Sequence, residues 1–121
     1  MHEPLTLVLG ASPRPERYSH LAVRRLVDHG IPVVAVGLRN ASIGTVPIHT
    51  DLPEGLKVDT VTLYLSMANQ LQLLDRILAL NPRRIIFNPG TEHPAFEKMA
   101  ESRGIEVVRG CTLVMLSVGT Y

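Results

Sequence analysis

The sequence predicts an α/β domain, a parallel sheet with helices packed on both faces. Three observations carry that prediction. Short apolar runs alternate with stretches of helical apolar spacing, the connections between them are short, and 121 residues suit a single domain over 1–121. A chain of this size buries roughly two-thirds of its unfolded surface, and its 45% hydrophobic content supplies a core.

Leu5 to Leu9 is the first apolar run, closed by Gly10, as expected of a strand buried on both faces. From about Arg17 to His29, Ala22, Val23, Leu26 and Val27 recur at helical spacing, and Gly30 supplies a left-handed stop. Pro32 to Gly37 is a second buried strand. A loop, "LRNASIG", leads to Thr45–His49, read as a brief edge strand because Pro47 lacks a ladder donor. Thr60 to Leu65 is the third main strand. Ser66 is the expected N-cap of a helix whose inward face is Met67, Leu71, Leu74 and Leu78, ended by Asn81-Pro82. Arg84 to Asn88 is the next strand. A helix with Pro94 in its first turn turns Phe96, Met99 and Ala100 inward and stops at Gly104. Ile105 to Arg109 is the last regular strand, and the apolar tail from Cys111 to Tyr121 has no clear assignment. Right-handed crossovers then favour a Rossmann-like, doubly wound, three-layer domain of strand order 3-2-1-4-5, with any extra strand at an edge.

Composition narrows the function. A net charge of +1 gives no footprint for nucleic acid. One cysteine, Cys111, permits no internal disulfide and suits a reducing, cytoplasmic setting. The N-terminal apolar run is strand-length, so neither a signal peptide nor a membrane span is expected.

The loop "VLGASPRPERYS" keeps only the first glycine of a dinucleotide fingerprint, with Ser12 and Pro15 where the later two would stand. In an open α/β sheet, ligands bind beyond the carboxyl ends of the strands where strand order reverses, beside this loop. Gly10 and Ala11 make the turn, the following helix offers amides and its positive dipole end, Ser12 and Ser19 add hydroxyls, and Arg14 and Arg17 add charge. The missing glycines argue against the close pyrophosphate approach of a standard NAD site and leave a longer phosphate loop, or a plain solvent-exposed connection. At the end of the second strand, where NAD sites carry an acid, stand Gly37-Leu38-Arg39-Asn40. A cation there suits a phosphorylated ribose, either the 2′-phosphate of NADP or the 3′-phosphate of coenzyme A, although a solvated loop arginine reads the same way.

These residues resemble the small stand-alone CoA-binding domain proteins, relatives of the CoA-binding domain of the succinyl-CoA synthetase alpha subunit. Gly10-Ala11-Ser12 with Pro15, Arg17 and Ser19 is similar to the family's first loop, and Arg39 follows a V-x-V strand as in the family. Ile43-Gly44, Asp51-Leu52-Pro53, Asp59-Thr60-Val61, Asn88-Pro89-Gly90-Thr91 and Cys111 also fall at positions similar to the family's. The likeness covers nearly the whole chain. It departs at Gly37-Leu38, where many members have Asn-Pro. What the resemblance implies is a non-catalytic module for CoA or acyl-CoA. Gly10, Ser12, Arg17 and Ser19 would lie along the phosphates, Arg39 near the adenosine end, and Asn88 to Gly90 on the facing rim.

Catalytic and metal motifs are missing. His2, His20, His29, His49 and His93 are scattered, with no zinc-binding spacing. His93 reads as an exposed helix-cap residue, and Cys111 as a buried thiol near the crevice. The alternatives are an NADP-binding oxidoreductase or regulatory protein, for which Tyr64 and Lys98 are poor catalytic candidates, and a ligand-free partner protein. In the last case the tail "CTLVMLSVGTY" packs inward or forms a homodimer interface.

Overall fold

The structure is a computed structural model and describes residues 4–121, so His2 lies outside it. Seven strands form one sheet: β1 (Thr6–Leu9), β2 (Val33–Val36), β3 (Ala41–Ile43), β4 (Val46–His49), β5 (Thr60–Leu63), β6 (Arg84–Phe87) and β7 (Glu106–Arg109), in the order β3-β4-β2-β1-β5-β6-β7. All neighbours are parallel except β3 and β4. The helices are α1 (Tyr18–Asp28), α2 (Met67–Gln70), α3 (Leu74–Ala79), α4 (Pro94–Ser102) and α5 (Thr112–Val118).

The alternation of side chains along the strands builds two cores. Leu7, Leu9, Val61, Leu63, Ile85 and Phe87 pack with Ile77, Leu78, Phe96 and Ala100 of α3 and α4. On the opposite face Val8 and Ala35 pack with Val23 and Leu26 of α1 and Leu116 of α5. Strands covered on both faces have no wet side. That is why β1, β5 and β6 are buried throughout. The doubly wound, three-layer reading holds.

Its details shift in four places. Val46–His49 is an internal strand: it takes the position beside β2, and Thr60–Leu63 pairs with β1 instead. Pro47 is tolerated because pairing with β2 begins after it, at Ile48 and His49. The outer edge is β3, which the sequence reads as loop and which pairs antiparallel to β4.

Second, the single helix expected after Ser66 is broken into α2 and α3. Ser66 caps it as foreseen, accepting the Asn69 amide at 3.4 Å. The apolar face fails, however, because Met67 and Leu71 are 51% and 61% exposed while Gln70 is wholly buried. The Gln70 amide donates to the Leu65 and Thr91 carbonyls at 2.9 and 2.7 Å, which turns α2 so that its polar residue points inward. Met99 in α4 and Val27 in α1 are likewise partly exposed.

Third, the tail forms α5 and packs inward against α1. The chain then returns to the amino ends of the strands, where Tyr121 Oη bonds Thr6 Oγ1 at 2.5 Å. Finally, His93 is buried and not exposed. The expected stops do hold: after α1, Gly30 takes φ +72° while its amide and that of Ile31 bond the carbonyls of Val27 and Leu26.

Candidate functional site

Strand order reverses at β1, which sends α1 to one face while β5 leads to helices on the other. The crevice beyond the carboxyl ends of β1, β2, β5 and β6 is therefore the expected ligand position. The fold brings all of the sequence-derived candidates to this end: Gly10 to Ser19 after β1, Arg39 after β2, and Asn88 and Gly90 after β6.

The first loop is held by backbone contacts. The amides of Gly10 and Ala11 both donate to the Val36 carbonyl at 2.9 Å, so neither is open to a phosphate. Gly10 has φ +91°, and a Cβ there would sit 2.9 Å from the Tyr64 carbonyl carbon. Gly37 is needed for the same reason, since a Cβ at that position would overlap the Ala11 carbonyl oxygen. The departure Gly37-Leu38 is thus the point where loop and second strand pack backbone on backbone. Ser12 is partly committed, its hydroxyl accepting the Arg14 amide at 3.2 Å.

His20, to which the sequence assigns no role, locks the loop to the helix. Arg24 Nε donates to its Nε2 at 2.8 Å, so Nδ1 carries the hydrogen and donates to the Ser12 carbonyl at 3.1 Å. The i, i+4 spacing of His20 and Arg24 on the helix is the signal that could have revealed it.

What remains open is the start of α1. Its N-cap is Arg17, no side chain caps it, and no acid lies in its first turn. The first bond of this helix runs from the Leu21 amide to the Arg17 carbonyl, which leaves the amides of Tyr18, Ser19 and His20 ahead of the ladder. Arg14 and Arg17 are exposed beside them, and Ser19 is buried in the first turn. Open amides and the positive end of the helix dipole thus stand in a segment that carries two exposed arginines and one exposed acid, Glu16.

On the β2 side, Arg39 is exposed, and its chain neighbour Asn40 helps to line a cavity of about 420 Å³ with Val34, His49, Thr50, Asp51 and Leu52, among others. On the β6 side the candidates are already occupied. Asn88 Nδ2 donates to Thr62 Oγ1 at 2.7 Å and to the Leu63 carbonyl at 2.8 Å, and its Oδ1 accepts the Thr112 amide at 2.9 Å. Its amide holds β5, β6 and α5 together and is not free on a rim. The Gly90 amide donates to the Glu92 carboxylate at 3.0 Å.

The titratable residues nearby are also structural. His93 Nδ1 bonds Gln70 Oε1 at 2.9 Å, and its backbone amide donates to Glu97 Oε2 at 2.8 Å. Glu97 pairs with Arg109 at 2.8 Å, and that guanidinium holds its carboxyl below the usual range. Tyr64 Oη is buried with no well-formed hydrogen bond, beside the Thr62 and Thr112 hydroxyls, which bond each other at 2.8 Å; burial pushes its pKa up. Cys111 is half-buried at the N-cap of α5. Among the described residues, no three His, Cys, Asp or Glu side chains come together in a metal-holding group.

Known proteins share this fold. The CoA binding domain family matches residues 5–117. A crystal structure of an uncharacterized protein superposes with a TM-score of 0.94 at 45% identity, covering 100% of both chains. A cell-free-expressed protein from Thermus thermophilus gives 0.85 at 26% identity, over 98% of this chain and 91% of that one. The dinucleotide-forming acetyl-coenzyme A synthetase 1 of Candidatus Korarchaeum cryptofilum, solved with phosphate and ADP, shares the fold at 17% identity. Its TM-score is 0.72, with 88% of this chain and 25% of that one covered. A search of curated proteins gave no match. The chain belongs to the CoA binding domain family.

Proposed function

We propose that this member of the family binds coenzyme A or an acyl-CoA at the reversal point of its sheet and does so without catalysing a reaction. The observation that carries the reading is the uncapped N-terminus of α1, with no acid in its first turn, flanked by Arg14 and Arg17. The pyrophosphate lies against the amides of Tyr18 to His20. The loop Gly10-Ala11-Ser12 supplies shape, since its first two amides are spent on Val36. The adenosine extends to the cavity beyond β2 and β4, where Arg39 meets the 3′-phosphate.

Absence of catalysis is read from how the reactive side chains are engaged. Among the described residues, no serine, threonine or cysteine side chain bonds a histidine side chain, which is the arrangement that activates a nucleophile.

Calorimetry on ligand-stripped protein tests the proposal. CoA is expected to bind about tenfold more tightly than 3′-dephospho-CoA, the effect of one charge-assisted contact, and Arg39→Gln is expected to erase that difference. NADP or NADPH binding more tightly than CoA would overturn the assignment in favour of an oxidoreductase or regulator.

A further inference from the structure

A second cavity, of about 330 Å³, opens at the amino ends of the strands, the end of the sheet opposite the nucleotide crevice. Pro4, Thr6, Ile31, Asp59, Arg83 and Arg84 are among its lining residues, with Tyr121 closing one side. Arg84 is only 6% exposed. Its Nε donates to Thr60 Oγ1 at 3.2 Å, and its guanidinium lies over the Tyr121 ring, 4.5 Å from the centroid. Among the described residues it makes no ion pair and its only well-formed hydrogen bond is that one to Thr60, although the guanidinium stands close enough to the Tyr121 hydroxyl to oppose the rise that burial gives its pKa. Its two outer nitrogens are not sealed in, because Tyr64 Oη is the only buried side-chain polar atom without a partner among these residues. They meet solvent through the cavity they line.

The nearest acid does not neutralise Arg84. Asp59 is gripped by Arg83 through Nε and Nη2 at 2.9 and 3.0 Å and accepts the Thr60 hydroxyl at 2.8 Å. Arg83 also meets Glu106 at 3.4 Å, so its charge is shared between two carboxylates and Arg84 is the guanidinium at this cavity left without an ion pair. Donors that open only onto a cavity are placed to meet an anion that enters it, and the planar fork of arginine suits two oxygens of one ligand.

We propose that this cavity is a binding site for a small oxyanion, a phosphate or a carboxylate, seated on the outer nitrogens of Arg84. The ring of Tyr121 fixes the guanidinium plane, and the Arg83–Asp59 pair walls the entrance. The site is separate from the nucleotide crevice and does not depend on the reading of that crevice.

The test is a titration of the isotopically labelled protein with sodium phosphate and with sodium malonate, each against sodium chloride at matched ionic strength, followed by amide NMR. Millimolar phosphate or malonate is expected to shift the amides of Thr6, Ile31 and Arg84, and whichever of the two binds more tightly identifies the ligand class. Arg84→Met, which keeps the stem over Tyr121, is expected to weaken that binding at least about tenfold and to leave CoA affinity unchanged. Should Arg84→Met fail to fold, Arg84→Lys serves: it retains charge and loses the fork, and the same loss of affinity is expected. Shifts confined to residues 12–20, or no shift beyond chloride, would overturn the proposal.

Discussion

Asn88 and Tyr64 are both polar groups on the sheet beneath α5, and their fates differ. Three bonds satisfy the Asn88 amide and tie two strands to the first turn of α5, whereas the Tyr64 hydroxyl is shut in beside two threonines that already bond each other. A buried partner left unsatisfied costs more than the bond itself is worth. Replacing Asn88 with Ala strands the Thr112 amide, so Asn88→Ala is expected to lower stability by about 3 kcal/mol in urea unfolding. Its remaining folded fraction should bind CoA as before. Unchanged stability with lost CoA affinity would instead make Asn88 a ligand contact.

Among the described residues three ion pairs join elements: Arg83 before β6 meets Glu106 of β7 at 3.4 Å, and two pairs hold carboxyls with lowered pKa, Asp59 before β5 with Arg83 and Glu97 in α4 with Arg109 at the end of β7. In both, the bonded guanidinium lowers the carboxyl pKa from its ordinary value of 3.8 or 4.5. The folded state therefore holds on to fewer protons than the unfolded chain as acid is added. The stability these pairs contribute is complete above the ordinary carboxyl values and drains away as pH falls through the lower folded values. Thermal unfolding between about pH 6 and about pH 3 should show a falling Tm. In the Asp59→Asn, Glu97→Gln double variant that fall should be shallower, and parallel curves would refute the assignment. Element boundaries follow the same local chemistry. Asn81, at φ 49° before Pro82, ends α3 where the sequence places the stop.

At the scale of the whole molecule, α5 and Tyr121 close the domain. Leu116 joins the α1 core, Thr112 bonds Thr62 and Asn88, and Tyr121 bonds Thr6 on the first strand. A chain ending at Gly110 would uncover that face of the sheet, including buried Thr62 and Val8. It is expected to lose cooperative unfolding and to aggregate. A soluble monomer with the melting behaviour of the full chain would show that α5 is dispensable. No described helix is long and apolar enough to cross a membrane.

The sequence by itself determined the α/β class, six of the seven strands, the stops at Gly30, Asn81 and Gly104, and the end of the sheet where Gly10 to Ser19, Arg39, Asn88 and Gly90 gather. These features rest on local chemistry, apolar runs and turn residues, that acts within a few positions along the chain. Only the tertiary structure decided that Val46–His49 lies beside β2, that Gln70 points inward, that the amides of Gly10, Ala11 and Asn88 are already bonded, and that Arg84 faces a second cavity. Each of these depends on partners brought together from distant parts of the chain, such as Thr91 for Gln70, Val36 for Gly10 and Tyr121 for Arg84. A polar group's availability is set by which of those partners reaches it first, and periodicity carries no record of that.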